Sequence, residues 1–139
     1  MRLALYKGRR GGLAGAFDAA VRWWTRGPYS HCEMVGPAWV ASASARDRGV
    51  RFKNISFHPD RWDFVPVDGD EASARAWFAA HQGARYDYAG LFGFVWRPGR
   101  GTARRWFCSE ACAAALGLRD PWRFCPNTLA AAVTIGKGG

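Results

Sequence analysis

The sequence predicts an α+β domain in which an antiparallel β-meander, barrel-like in form, packs against helices. Short segments that alternate apolar and polar residues fill the middle of the chain, most clearly at 50–55, and this period is typical of strands. Apolar residues at helical spacing occur before and after them, over 13–25 and 71–82. With 139 residues, 49% of them hydrophobic, the chain suits one core. We therefore expect a single domain over 1–135 and a flexible end at 136–139.

The predicted elements alternate short strands with helices, and glycine, proline and aspartate separate them. Asp70 is placed to cap the second helix, and Gly83 to end it. In chain order the elements are a strand at 2–6, a helix at 13–25, strands at 29–35, 38–44, 50–55 and 62–67, a helix at 71–82, an aromatic-rich helix or packed turn at 86–96, a basic loop at 97–102, a helix from 108 and a last helix over 126–133.

The first helix carries an apolar stripe. Leu13, Phe17 and Trp24 recur at helical spacing, and such a stripe usually packs on a sheet. The alternative is weak contact with a membrane surface, since Trp23 and Arg22 lie beside the stripe.

Charge and composition limit the classes of partner that the protein is expected to bind. The formal charge is +9, which favours acidic partners such as nucleic acid, anionic lipid or cell wall. Nucleic acid is disfavoured because no helix-turn-helix, zinc-finger or RNA-recognition motif is present. The first residues lack the apolar region of a signal peptide, so we expect a cytoplasmic or virion-associated protein. The oligomeric state stays open.

The cysteine pattern argues against disulfides and metal. Without a signal peptide, the four cysteines are expected to be reduced thiols. Cys108 and Cys112 form the only close pair, and both fall in one predicted helix. No second pair completes a zinc site. We therefore expect no metal and no cofactor.

Cys108 stands where a helix is predicted to begin. Backbone N–H groups at a helix start stabilise a thiolate, and His31, on the predicted strand 29–35, could take the thiol proton. Cys112 lies one turn deeper and is expected to pack in the core. The pattern predicts a Cys/His nucleophile pair that transfers acyl groups.

A base of this kind needs a third group to orient it. Strand alternation places His31 and Glu33 on one face and Cys32 on the other, in the core. Folding of the next hairpin brings Ser42 and Ser44 opposite His31. Glu33, about 7 Å along the strand, could act through a water, bind substrate or pair with an arginine. Glu33, Ser42 and Ser44 all remain candidates.

Three short motifs resemble a known superfamily. Tyr29-Ser30-His31-Cys32-Glu33-Met34-Val35 resembles the Ser-His-x-x-hydrophobic strand of NlpC-type papain-like cysteine hydrolases. The segment from Phe107 to Leu116 is similar to their Cys-Ser-x-hydrophobic helix start, and that from Gly83 to Gly90 to their glycine-x-x-tyrosine stretch. Histidine precedes cysteine, the order of the circularly permuted branch that includes lecithin retinol acyltransferase relatives.

The resemblance implies a permuted papain-like fold and a metal-free cysteine peptidase or amidase. Cys108 would be the nucleophile, His31 the general base and Tyr86 a support for the oxyanion or substrate, while Glu33 is our candidate third member. The implied substrates are amide bonds of peptidoglycan peptides, in a phage-associated enzyme, or acyl esters and amides of lipids. A non-catalytic binding or assembly module on the same fold is the alternative.

Overall fold

The computed structural model of the protein describes residues 1–88 and 105–135. Within them the chain forms seven strands, four helices and one short 3-10 helix, at Pro121–Arg123. The strands are β1 (Arg2–Tyr6), β2 (His31–Val35), β3 (Val40–Ser44), β4 (Gly49–Phe52), β5 (Trp62–Pro66), β6 (Arg85–Tyr86) and β7 (Arg105–Trp106). The helices are α1 (Gly12–Thr25), α2 (Glu71–His81), α3 (Cys108–Ala115) and α4 (Pro126–Ile135).

All seven strands belong to one open sheet, in the order β5-β1-β2-β3-β4-β6-β7. Every neighbouring pair is antiparallel except β6 and β7, which are parallel. The predicted α+β class with an antiparallel sheet is confirmed. The predicted barrel-like closure is wrong, because β5 adds to the outer side of β1 and so lies at the opposite edge from β7.

The centre of the sheet and α3 form the core. Leu5 pairs with Cys32 across β1 and β2, and both side chains are fully buried. Helix α3 packs on β2 and β3, and its Cys112 sulfur lies 3.8 Å from the Cys32 sulfur. The predicted core positions of Cys32 and Cys112 are confirmed.

Helix α1 is oriented differently from the prediction. Leu13 is 92% exposed and Trp24 42% exposed, and Asp18 is the one buried residue of the helix. The Arg10 guanidinium donates two hydrogen bonds to Asp18, at 2.7 and 2.8 Å. The prediction that the apolar stripe packs on the sheet is wrong, because the buried face of the helix is the one that carries Asp18, whose charge is compensated by Arg10.

Of the later elements, α2 agrees with the prediction and the segment at Tyr86 differs from it. Asp70 caps α2 and accepts a hydrogen bond from the Ser73 N–H. Tyr86, predicted to begin a helix or turn, instead lies in β6, where its N–H donates to the Arg48 carbonyl. The rest of the predicted aromatic segment from 89, the basic loop at 97–102 and the predicted flexible end at 136–139 lie outside the described residues. Of the described helices, none has the length and apolar content needed to cross a bilayer.

Candidate active site

The fold brings Cys108 and His31 into contact. His31 is the first residue of β2 and Cys108 the first of α3, and their side chains lie close enough for each to shift the pKa of the other. The start of α3 is fixed by Ser109, whose hydroxyl donates to the Phe124 carbonyl at 2.6 Å. The packing of α3 on β2 therefore joins two segments that are far apart in sequence.

Asn127 anchors the chain just before His31. Its side-chain oxygen accepts the Tyr29 N–H at 3.0 Å, while its side-chain nitrogen donates to the Tyr29 carbonyl at 3.0 Å and to the Thr25 hydroxyl at 2.7 Å. The start of α4 thus holds the turn that leads from α1 into β2. Sequence reasoning missed this residue, because nothing in the pattern indicates so distant a partner.

Glu33 occupies the third position of the site. Its Oε1 lies 2.7 Å from Nε2 of His31, which leaves Nδ1 as the ring nitrogen for the Cys108 thiol. Ser42 instead donates to the Cys32 carbonyl, and Ser44 accepts the Asp47 N–H. Of the predicted possibilities for Glu33, contact with His31 through a water is replaced by a direct contact, because the two side chains span the distance between their Cα atoms.

Arg51 holds Glu33 from the other side. Its guanidinium donates to both Glu33 oxygens, at 2.6 and 2.5 Å, and to Asp47 at 2.8 Å. The expected arginine pair therefore exists alongside the histidine bond. Arg51 pairs with Ser42 across β3 and β4, and the small serine leaves room for the longer side chain to reach β2. Burial favours a neutral Glu33, but the bonds from Arg51 and His31 hold its pKa below the usual value.

The electrostatics favour a charged pair. Burial alone would lower the pKa of His31, but Cys108 and Glu33 outweigh it and raise that pKa to about 10. A hydrogen bond from Cys32 and the attraction of His31, working against burial, hold the pKa of Cys108 well below that of an ordinary thiol. Burial raises the pKa of Cys32 itself. The direction of these two shifts favours a Cys108 thiolate beside a His31 imidazolium.

Tyr86, which the resemblance implies as a support for the oxyanion or substrate, lies close enough to Cys108 to interact with its charge. It is 5% exposed, and its ring centroid is 5.0 Å from that of Tyr88. Burial and the negative charge of Cys108 raise the pKa of Tyr86, so it stays a neutral phenol. A neutral phenol can donate a hydrogen bond to an oxyanion.

A cleft of about 1130 Å³ opens at the site and reaches His31, Glu33 and Tyr86. Ser30 also lines the cleft. Its buried hydroxyl has no hydrogen-bond partner among the residues that the structure describes. Cys108 is not among the residues that line this cleft and is 3% exposed. Cys108 thus lies beside His31, which lines the cleft, without itself lining the cleft.

Glu110 is a further buried carboxyl that sequence reasoning missed. It lies on the first turn of α3, is 3% exposed and accepts the Phe107 N–H at 3.5 Å. Burial and the nearby Asp87 raise the pKa of Glu110 to about 7, although the bond from Phe107 acts in the opposite direction. Its position two residues after Cys108 was the available signal.

None of the protein-family models, curated proteins or solved structures compared with this chain matches it. Within 1–88 and 105–135, no group of three or more His, Cys, Asp or Glu side chains is arranged to hold a metal ion.

Proposed function

We propose that the protein is a cysteine hydrolase that cleaves an amide bond by acyl transfer to Cys108. The observation that carries the proposal is the contact of Cys108 with His31, backed by Glu33 and Arg51. For a lone buried cysteine beside a histidine, the neutral thiol would be the state of lowest free energy. The buried Glu33 carboxylate and its Arg51 guanidinium partner instead favour the pair of Cys108 thiolate and His31 imidazolium.

The reaction follows from these positions. The Cys108 thiolate attacks the carbonyl carbon, and the carbonyl π electrons move to oxygen to form a tetrahedral oxyanion. We assign the first N–H groups of α3 and the Tyr86 hydroxyl as the donors to that oxygen. His31 gives its proton to the leaving amine as the C–N bond breaks. It then takes a proton from water, which attacks the thioester and releases the acid and the Cys108 thiolate.

The proposed substrate class rests on the resemblance to NlpC-type hydrolases and on the charge of the residues that line the cleft. The resemblance implies amide bonds of peptidoglycan peptides as the substrate. We propose that the protein acts with a phage and is cytoplasmic or carried in the virion. Arginine and lysine side chains outnumber carboxylates along the cleft, which favours an acidic substrate. Acyl esters or amides of lipids are the alternative substrates of the same chemistry.

A binding or assembly module on the same fold is the second candidate. The observation that favours it is the 3% exposure of Cys108, because a nucleophile must meet its substrate.

The release of amines from peptide amides and from lipid amides decides whether the protein is a hydrolase. Purified peptidoglycan fragments are incubated with the protein and with Cys108→Ala and His31→Ala, and released amines are quantified. We expect release by the unchanged protein and loss of about a thousandfold or more in either variant. Cys125→Ala, which removes a buried cysteine outside the site, is the matched control and should retain activity. If all four proteins behave alike on both peptide and lipid amides, the hydrolase proposal fails.

A further inference from the structure

Within the described residues, α1 carries four of the five large hydrophobic side chains that are exposed to solvent. Leu13, Phe17, Trp23 and Trp24 are 92%, 37%, 76% and 42% exposed. At about 100° per residue, Leu13, Phe17 and Trp24 fall within an arc of roughly 40°. The stripe is therefore continuous along the helix, from its first turn to its last.

The charges next to the stripe in the sequence are mostly positive. Between residues 7 and 26 there are five basic residues and one acidic residue, and the acidic one, Asp18, is 1% exposed and paired with Arg10. Lys7 is paired with Asp63 at 2.7 Å, so Arg9, Arg22 and Arg26 are the basic residues that have no carboxylate partner among the described residues. The exposed surface of the helix thus combines apolar and cationic groups and carries no exposed acid.

We propose that α1 docks the protein on an anionic lipid surface, with the helix lying in the plane of the headgroups. Its 14 residues suit a helix that lies at the interface. Indole rings prefer the boundary where the ring is in apolar surroundings and its N–H meets headgroup oxygens. The flanking guanidinium groups complement lipid phosphates. The net charge of +9 adds a long-range attraction to the same surface.

The docking has a geometric consequence for the cleft. Leu13 and Phe17, which belong to the exposed stripe, also line the cleft that reaches His31. A helix docked by this stripe therefore brings the cleft mouth to the lipid surface.

The test is sedimentation with vesicles of phosphatidylcholine, with and without one third phosphatidylglycerol. We expect the protein to bind the anionic vesicles, and we expect added salt to weaken this binding. Trp23→Ser with Trp24→Ser should lower the partition constant about tenfold or more, whereas Trp23→Phe with Trp24→Phe should keep most of the binding. Arg9→Gln should weaken binding more than Arg119→Gln, which removes an equal charge outside this segment.

Thermal unfolding followed by circular dichroism establishes that each variant folds. Cys108→Ala should bind vesicles as the unchanged protein does, so failure of docking and failure of the hydrolase are separate results. Absence of binding to anionic vesicles at low salt overturns the proposal, as does equal binding by the double serine variant. Retention on immobilised polyglutamate without vesicle binding assigns the surface to an acidic polypeptide and also overturns it.

Discussion

Glu33 shares its two carboxylate oxygens between a histidine and an arginine, and the site depends on that sharing. It is 1% exposed, so its charge is stabilised by His31 and Arg51 rather than by water. Strand alternation predicted that Glu33 and His31 share a face. It could not predict Arg51, which lies 18 residues further along the chain and reaches Glu33 only when the β3–β4 hairpin has joined β2 in the sheet.

Glu33→Gln should weaken the charged pair. The variant removes the negative charge that helps to keep His31 protonated, so the pKa of Cys108 should move upward toward its ordinary value. Loss of the charge also leaves Arg51 half-satisfied, at a cost of about 3–5 kcal/mol in unfolding free energy. Thiolate absorbance and urea unfolding measure the two effects. A Cys108 pKa that does not move in a folded variant would remove Glu33 from the site.

Cys108 should be the fastest of the four cysteines to react with iodoacetamide. Its lowered pKa means that the thiolate is already formed at neutral pH, so its rate should stay nearly flat between about pH 6 and pH 8. Burial raises the pKa of Cys32, and that thiol should react slowly. Mass spectrometry of the alkylated peptides gives each rate, with Cys108→Ser as the control. A Cys108 rate that rises tenfold per pH unit would show an ordinary thiol.

Glu110 should make the fold less stable as the solution becomes more alkaline. Its pKa rises from 4.5 to about 7 on folding, so between these values the folded protein keeps a proton that the unfolded chain has lost. Stability therefore falls through this window and stays low above it. Glu110→Gln should be more stable than the unchanged protein by on the order of 1–3 kcal/mol at pH 8.

At pH 4 the Glu110→Gln variant and the unchanged protein should unfold at nearly the same urea concentration, because the carboxyl is then neutral in both. A difference that is as large at pH 4 as at pH 8 would contradict this account of Glu110.

At the scale of elements, the alternation of apolar and polar residues predicted β1, β2 and β5 close to their observed bounds. Periodicity also predicted α1, but it cannot tell which face of a helix turns inward. That choice depended on Asp18 and Arg10, whose ion pair forms only in the folded chain. The start of α3 at Cys108 was predictable, whereas the Asn127 anchor was not, since its partners lie on other elements.

The hydrogen bonds of the Asn127 side chain, which join α4 to the turn before β2, should be needed to hold His31 in position. Asn127→Ala removes three hydrogen bonds and should cost about 1–3 kcal/mol of unfolding free energy. The freed turn should also lower the alkylation rate of Cys108 by several-fold. Thr128→Ala, a change of similar size at the next residue, is the control. An equal effect of both variants on Cys108 would mean a general loss of stability.

At the scale of the whole molecule, the sheet order explains why histidine can precede cysteine. Strand β2 lies inside the sheet between β1 and β3, and α3, which begins at Cys108, packs on β2 and β3. Neither chain order nor the number of residues between His31 and Cys108 matters once this packing is made. The sequence could predict that both belong to one core, but the open form of the sheet depends on pairings that no local pattern specifies.

Helix α1 is attached by an ion pair and a few polar bonds, and none of its apolar side chains is fully buried. Deuterium should consequently replace its amide hydrogens well before those of β1 and β2, since detaching the helix exposes little new apolar area. The same weak attachment would let the helix change its angle to the sheet, which stays rigid, when the surface that it meets is uneven.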